Sequence, residues 1–208
     1  MRMKIALVAL SILTLLACKK GAGEFTIKGE ISDLTFNTGL NGATIELYKV
    51  PVASNNEFLV ATQTIGSDGT YSFTFPREQM EKYIIRVNKT LYFPIESTVY
   101  YSSLELGKEN IRDYSTSAKS WVELRFLNNN PVPNDHLRYI KQDGYSGCTE
   151  CCPTSEQNYY GALDTSIYCV NQGNTVYSLY FWITGTSNQG LLQATTVPFD
   201  TTQIYLPY

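Results

Sequence analysis

Two consecutive all-β sandwiches behind a cleaved leader are the expectation, and three features carry it. Apolar and polar residues alternate with period two through long stretches of the 208 residues, as strands with one buried face require. Tyrosine is abundant, with 16 residues, many in alternating runs, and aromatic side chains favour strands. No amphipathic stretch at helical spacing exceeds about three turns. The length suits one or two domains of about 100 residues each.

The leader comes first. Arg2 and Lys4 make a basic start, and residues 5–16 are apolar except for Ser11 and Thr14. That is the layout of a secretory signal. Twelve helical residues rise about 18 Å against roughly 30 Å of bilayer hydrocarbon, so a permanent spanning helix is disfavoured. The run ends in Leu15-Leu16-Ala17-Cys18 and turns polar at Lys19 and Lys20. This tetrapeptide resembles the lipobox of bacterial lipoproteins. The resemblance implies a diacylglyceryl group on the Cys18 thiol, cleavage before Cys18, and acylation of the new amine. Residues 1–17 are then a signal peptide and 18–23 a lipidated linker. One acyl chain holds a protein marginally, and two or more hold it firmly. Lys19 is not the aspartate that retains some lipoproteins at the inner membrane. The expected location is therefore the outer membrane, on its periplasmic or cell-surface face.

Cleavage removes two positive charges and no acids, taking the formal net charge from −3 to −5. Nucleic acid is not an expected partner, since phosphate neutralisation needs clustered Lys and Arg. Lys19 and Lys20 fit better near anionic headgroups.

The first domain is expected over 24–116. Phe25, Ile27, Gly29 and Ile31 alternate with Thr26, Lys28 and Glu30. Residues 37–42 form a loop of types that tolerate positive φ. Ala43, Ile45 and Leu47 alternate in the next strand, and 58–65 forms a third. Ser67-Asp68-Gly69 reads as the tight turn of a hairpin into 70–75. Residues 82–87, 95–101 and 110–114 complete the set. Gly29-Glu30-Ile31, the run from Gly39 to Leu47, Ser67-Asp68-Gly69-Thr70-Tyr71-Ser72-Phe73 and Tyr83-Ile84-Ile85-Arg86-Val87 resemble the carboxypeptidase regulatory-like domain. The resemblance implies a small transthyretin-like (prealbumin-like) sandwich, a structural module that predicts fold far more than activity. Asp68 reads as a turn residue, because one acid supplies too few oxygens for calcium. Lys28, Asn88 and Glu46 are the residues an internal Lys–Asn cross-link would use, as in related pilin-type sandwiches. Lys28 lies on the outward phase of its strand, which favours plain solvent exposure.

The second domain is expected over 117–208, after the small polar stretch 115–118. Val122, Leu124 and Phe126 alternate with Glu123 and Arg125. Pro131 and Pro133 stop that strand. Residues 136–142 resume, 159–170 follow with Gly161 as a bulge, and 175–184 read as a central strand apolar on both faces. Residues 190–197 and 203–206 finish an immunoglobulin-like sandwich.

Cys148, Cys151, Cys152 and Cys169 remain once Cys18 carries lipid. An even number in an oxidising compartment implies two disulfides. A vicinal Cys151–Cys152 bond strains the peptide. Two pairings stay open: Cys148–Cys151 with Cys152–Cys169, or Cys148–Cys152 with Cys151–Cys169. The competing reading is a four-cysteine zinc site, which lacks the second close pair of a zinc ribbon.

No catalytic residue, metal or cofactor is expected. His136 is the lone histidine and reads as surface, and no nucleophile elbow, zinc-protease motif or phosphate loop appears. The expectation is a non-catalytic, lipid-anchored envelope protein that binds or scaffolds at the outer membrane. Its partners are the membrane, through Cys18, and a protein or glycan, through the sandwich-end loops 128–135 and 145–158. Tyr145, Tyr159 and Tyr160 are the candidate ligand contacts, able to stack on sugars or to serve as core and edge aromatics. A glycan-binding accessory lipoprotein is the alternative. A hydrolase with a carboxylate site that no motif marks is a further one.

Overall fold

The computed structural model describes residues 23–208, so the leader and Cys18 lie outside the described residues. The chain is all-β, and its strands form two sandwiches. In the first, β1 (Glu24–Asp33) is the central strand of one sheet. It pairs antiparallel with β2 (Thr38–Gly39) and β5 (Thr70–Pro76), and parallel with β8 (Glu109–Ile111) and β9 (Tyr114–Thr116). The facing sheet runs β4 (Phe58–Thr64), β3 (Thr44–Pro51), β6 (Met80–Asn88), β7 (Ile95–Tyr100). Period two explains the core between them. Tyr71, Phe73 and Phe75 of β5 are buried, whereas Ser72 and Thr74 face water. They meet Phe25, Ile27, Ile45, Leu47, Tyr83 and Ile85.

The second sandwich has a three-stranded sheet, β13 (Asp164–Gln172), β10 (Lys119–Leu127), β16 (Thr201–Pro207), with β10 and β16 parallel. Its four-stranded partner runs β12 (Gln157–Tyr160), β11 (His136–Asp143), β14 (Val176–Ile183), β15 (Gln189–Thr195). Val122, Leu124 and Phe126 of β10 pack on Tyr139, Tyr177, Leu179 and Phe181. β14 lies between two neighbours, as its apolar character on both faces implied.

Three expectations are corrected. The Asp68-Gly69 turn exists, with Gly69 at φ +76°, but it joins strands of opposite sheets. β5 pairs with β1 rather than β4, and Ile31 donates to the Gly69 carbonyl at 2.9 Å. The stretch 159–170 is two strands. Gly161, at φ +70°, ends β12 and sends the chain across to β13 in the other sheet. The stretch 110–114 also divides. The Arg112 carbonyl accepts from the Tyr71 hydroxyl at 2.7 Å, and Asp113 accepts from the Glu30 amide at 2.9 Å. Both break the ladder between β8 and β9.

The small polar stretch before β10 is not a free linker. Thr116, Ser117 and Ala118 are buried. Ala118 donates to Thr35 Oγ1 at 2.9 Å, and Asn174 Nδ2 donates to the Thr35 carbonyl at 3.2 Å. Phe199 packs on Phe36 and Tyr92, with centroids 5.9 and 5.5 Å away. β1 runs toward this junction over about 30 Å, and β10 runs on from it. Gly23 therefore lies at one end of the molecule, and the loop 128–135 lies at the other.

Candidate functional site

The structure joins Cys148 to Cys151 and Cys152 to Cys169, choosing the first of the two open pairings. All four sulfurs are spent on these bonds, which removes the zinc reading. Cys152 and Cys169 are buried in the second core, and the Tyr177 hydroxyl donates to Cys169 Sγ at 3.4 Å. The stapled loop is further tied to the body of the sandwich. Tyr145 N donates to Asn171 Oδ1 at 2.6 Å, and Val170 N donates to the Glu150 carbonyl at 3.0 Å. Lys141 is buried beneath the loop. Its ammonium donates to the carbonyls of Tyr145 and of Cys152, and burial lowers its pKa.

This loop lies at the junction, at the opposite end of the sandwich from 128–135. The Tyr145 ring packs on Phe93 of the first sandwich, with centroids 4.2 Å apart. The Lys119 ammonium lies 3.9 Å from Glu150. Tyr145 thus braces the two sandwiches.

Tyr159 and Tyr160 are adjacent on β12, so they point to opposite faces. Tyr159 turns inward, stacked on Tyr139 at 6.2 Å and tilted on Phe126 at 6.1 Å. Tyr160 turns outward and is 69% exposed. The structure therefore separates the three tyrosines into a brace, a core ring and a surface ring.

Around Tyr160 the outward face of the four-stranded sheet is ordered. β11 pairs His136 with Tyr160, and Arg138 with both Asn158 and Trp182. Tyr160 stacks on the His136 ring at 4.1 Å and 15°. Both imidazole nitrogens are held, by Asn158 Oδ1 at 2.7 Å and by Thr184 Oγ1 at 3.1 Å. One row along, Arg138 grips Glu156 through two bonds, at 2.7 and 2.8 Å. Its guanidinium lies 4.6 Å from the Trp182 ring centroid. Each partner favours the other's charged form: the bond to Glu156 raises the Arg138 pKa, and the bond to Arg138 lowers that of Glu156. Tyr180 follows at 6.0 Å from Trp182. Rings and planar polar groups thus alternate over one sheet face, each fixed by its neighbour.

Sequence reasoning missed Arg138, Glu156 and Trp182. His136, Arg138 and Ile140 share one strand phase, and Tyr180 shares one with Trp182, so each half was readable. The register that joins the halves was not.

The remaining candidates are dispersed. Asp68 accepts from Thr70 N at 3.2 Å and Thr70 Oγ1 at 2.8 Å; these bonds lower its pKa and make it a turn residue. Lys28 pairs with Glu109 at 2.7 Å on one sheet, while Glu46 and Asn88 belong to the other. The cross-linking trio is not assembled. Among the described residues, no group of three metal-ligating side chains occurs. No helix there is long and apolar enough to cross a membrane.

No protein-family model matches the chain, and no curated protein matches it. Among solved structures it is similar to the Bacillus anthracis TIE protein, with 13% identity and a TM-score of 0.40 over 89% of this chain and 34% of that one. It is similar to GBS52, the minor pilin of Streptococcus agalactiae, with 9% identity and a TM-score of 0.38 over 88% and 94%. A DUF3823 family protein from Bacteroides uniformis shows 10% identity and a TM-score of 0.32 over 86% and 100%. The chain spans about a third of the TIE protein's length. Likeness at this level carries no function across.

Proposed function

We infer that this is a non-catalytic, lipid-tethered envelope protein that holds a binding face at a fixed distance from the outer membrane. The observation that carries the reading is the packed junction: only Ser117 and Ala118 separate β9 from β10, and both are buried. Two sandwiches joined in this way act as one stiff body. With Cys18 acylated, the linker 18–23 fixes the Gly23 end near the headgroups. The first sandwich serves as the stalk, a structural part in keeping with its resemblance to carboxypeptidase regulatory-like modules. The second sandwich then stands outermost. A non-catalytic role is supported by the lone histidine, whose two nitrogens are occupied by Asn158 and Thr184. It is further supported by Glu57, Glu96, Glu109 and Glu156, which are engaged by Arg86, Lys28 and Arg138.

Detergent-phase partitioning and the mass of the mature N-terminal peptide test the tether. The expected result is partition into detergent and a peptide beginning at acylated Cys18. Cys18→Ala should move the protein to the aqueous phase. A mature chain that starts elsewhere, or that stays aqueous, overturns the reading.

A further inference from the structure

We propose that the outward face of the β12–β11–β14–β15 sheet binds a neutral glycan, with Tyr160 as the stacking ring and Arg138, Glu156 and Asn158 as the groups that read hydroxyls. This rests on the binding role above and names its ligand class. Three properties of the face select that chemistry.

The first is a ring that is open yet fixed. One side of Tyr160 lies on His136 at 4.1 Å, and the residue as a whole is 69% exposed. His136 is itself held at both nitrogens. The orientation of the ring is set before any ligand arrives, which lowers the ordering cost of binding.

The second is bonding capacity of both signs beside that ring. Asn158 gives Oδ1 to His136, and its side chain also bonds Glu156, favouring the charged carboxylate. The amide carries two N–H donors, so one remains for a ligand. Arg138 gives Nε and Nη2 to Glu156 and keeps Nη1. Each Glu156 oxygen retains acceptor capacity beyond its bond to Arg138. A pyranose matches this arrangement. Its C–H face is apolar and covers a tyrosine ring, while its rim of hydroxyls both donates and accepts.

The third is charge. Arg138 and Glu156 are opposite charges in one two-bonded pair, so an anion meets Glu156 and a cation meets Arg138. A neutral ligand avoids both conflicts. Exposed aliphatic surface on this face is limited to Leu191 on β15 and Val176 at the end of β14 remote from Trp182. These two separated side chains are too little for the apolar centre of a protein interface.

Affinity electrophoresis of the full mature chain in non-ionic detergent tests the proposal. The gels contain hydroxyethyl cellulose, galactomannan, xylan or dextran, with polygalacturonate as the anionic comparison. The expected result is retardation by at least one neutral polymer and none by polygalacturonate. Tyr160→Ala should weaken that retardation at least tenfold. Tyr205→Ala, on the opposite sheet, should leave it unchanged, and circular dichroism should show both variants folded. Migration unaffected by every neutral polymer overturns the proposal, as does a folded Tyr160→Ala variant that binds like the parent. A parent dimer in sedimentation that Tyr160→Ala dissociates would also overturn it, by making the face an interface between copies. None of these results touches the tether, which stands or falls on acylated Cys18.

Discussion

Tyr71 and Tyr83 are both buried in the first core, but their hydroxyls differ. Tyr71 donates to the Arg112 carbonyl at 2.7 Å. Tyr83 has no hydrogen-bond partner among the described residues. Removing a satisfied buried hydroxyl forfeits about 1 kcal/mol, whereas removing an unsatisfied one costs nothing and relieves desolvation. Tyr71→Phe should therefore lower stability by roughly 1 kcal/mol, and Tyr83→Phe should leave it unchanged or raise it. Urea midpoints at constant slope would show the difference; a Tyr83→Phe loss as large as that of Tyr71→Phe would contradict the assignment. The burial of both side chains was legible from strand phase alone. Which hydroxyl has a partner was not, because Arg112 reaches Tyr71 only through the break between β8 and β9. The candidate site divides in the same way. Adjacent positions on one strand had to send Tyr159 and Tyr160 to opposite faces, but only the pairing of β12 with β11 sets Tyr160 over His136.

The two disulfides constrain the chain unequally. Cys152–Cys169 closes a separation of 17 residues, and Cys148–Cys151 closes one of 3. Loop-closure entropy assigns about 3 kcal/mol to the longer bridge and under about 2 kcal/mol to the shorter. Replacing Cys152 and Cys169 together by serine should thus cost the larger amount. It should also free the segment that sets Tyr145 against Phe93. Replacing Cys148 and Cys151 should cost less and leave that contact in place. Denaturant unfolding measures both losses, and hydrogen exchange over 144–152 reports the loosening. Equal losses would show that the loop is held by its hydrogen bonds rather than its long bridge. The sequence announced that this polar, glycine-containing stretch needed a staple, but it left the pairing open and did not show what the loop leans on. The turn at Asp68-Gly69 follows the same logic. Its local chemistry was readable, but whether it joined neighbours in one sheet depended on β1 capturing β5. Pairing across dozens of residues outweighs the local signal.

The two sandwiches meet through buried residues and through the rings of Phe36, Tyr92, Phe93, Tyr145 and Phe199, so they should melt as one cooperative unit. Calorimetry should give a single transition for the parent and two for Phe199→Ala, which removes the ring between Phe36 and Tyr92; two transitions in the parent would refute the coupling. Alkaline pH probes the same body through its tyrosines. Burial raises the hydroxyl pKa of Tyr71, Tyr92, Tyr139 and Tyr177, and it pushes Tyr83 up to about 12. In the unfolded chain tyrosines ionise near pH 10. Above that pH the unfolded state holds fewer protons than the folded one, so stability falls as pH rises. The stabilisation from these five groups is fully present below about pH 10 and is lost as the pH climbs toward their folded values. Lys141 acts in the opposite sense. Burial lowers its pKa, so its contribution grows with pH up to the unfolded lysine value of about 10.4. One lysine opposes five tyrosines, and the tyrosines should dominate above pH 10. Because their hydroxyls lie in both cores, tyrosinate absorbance from this buried class should appear together with the loss of far-ultraviolet dichroism. Its appearance while the dichroism stayed intact would mean that the cores admit hydroxide without opening, contrary to the burial on which both sandwiches depend.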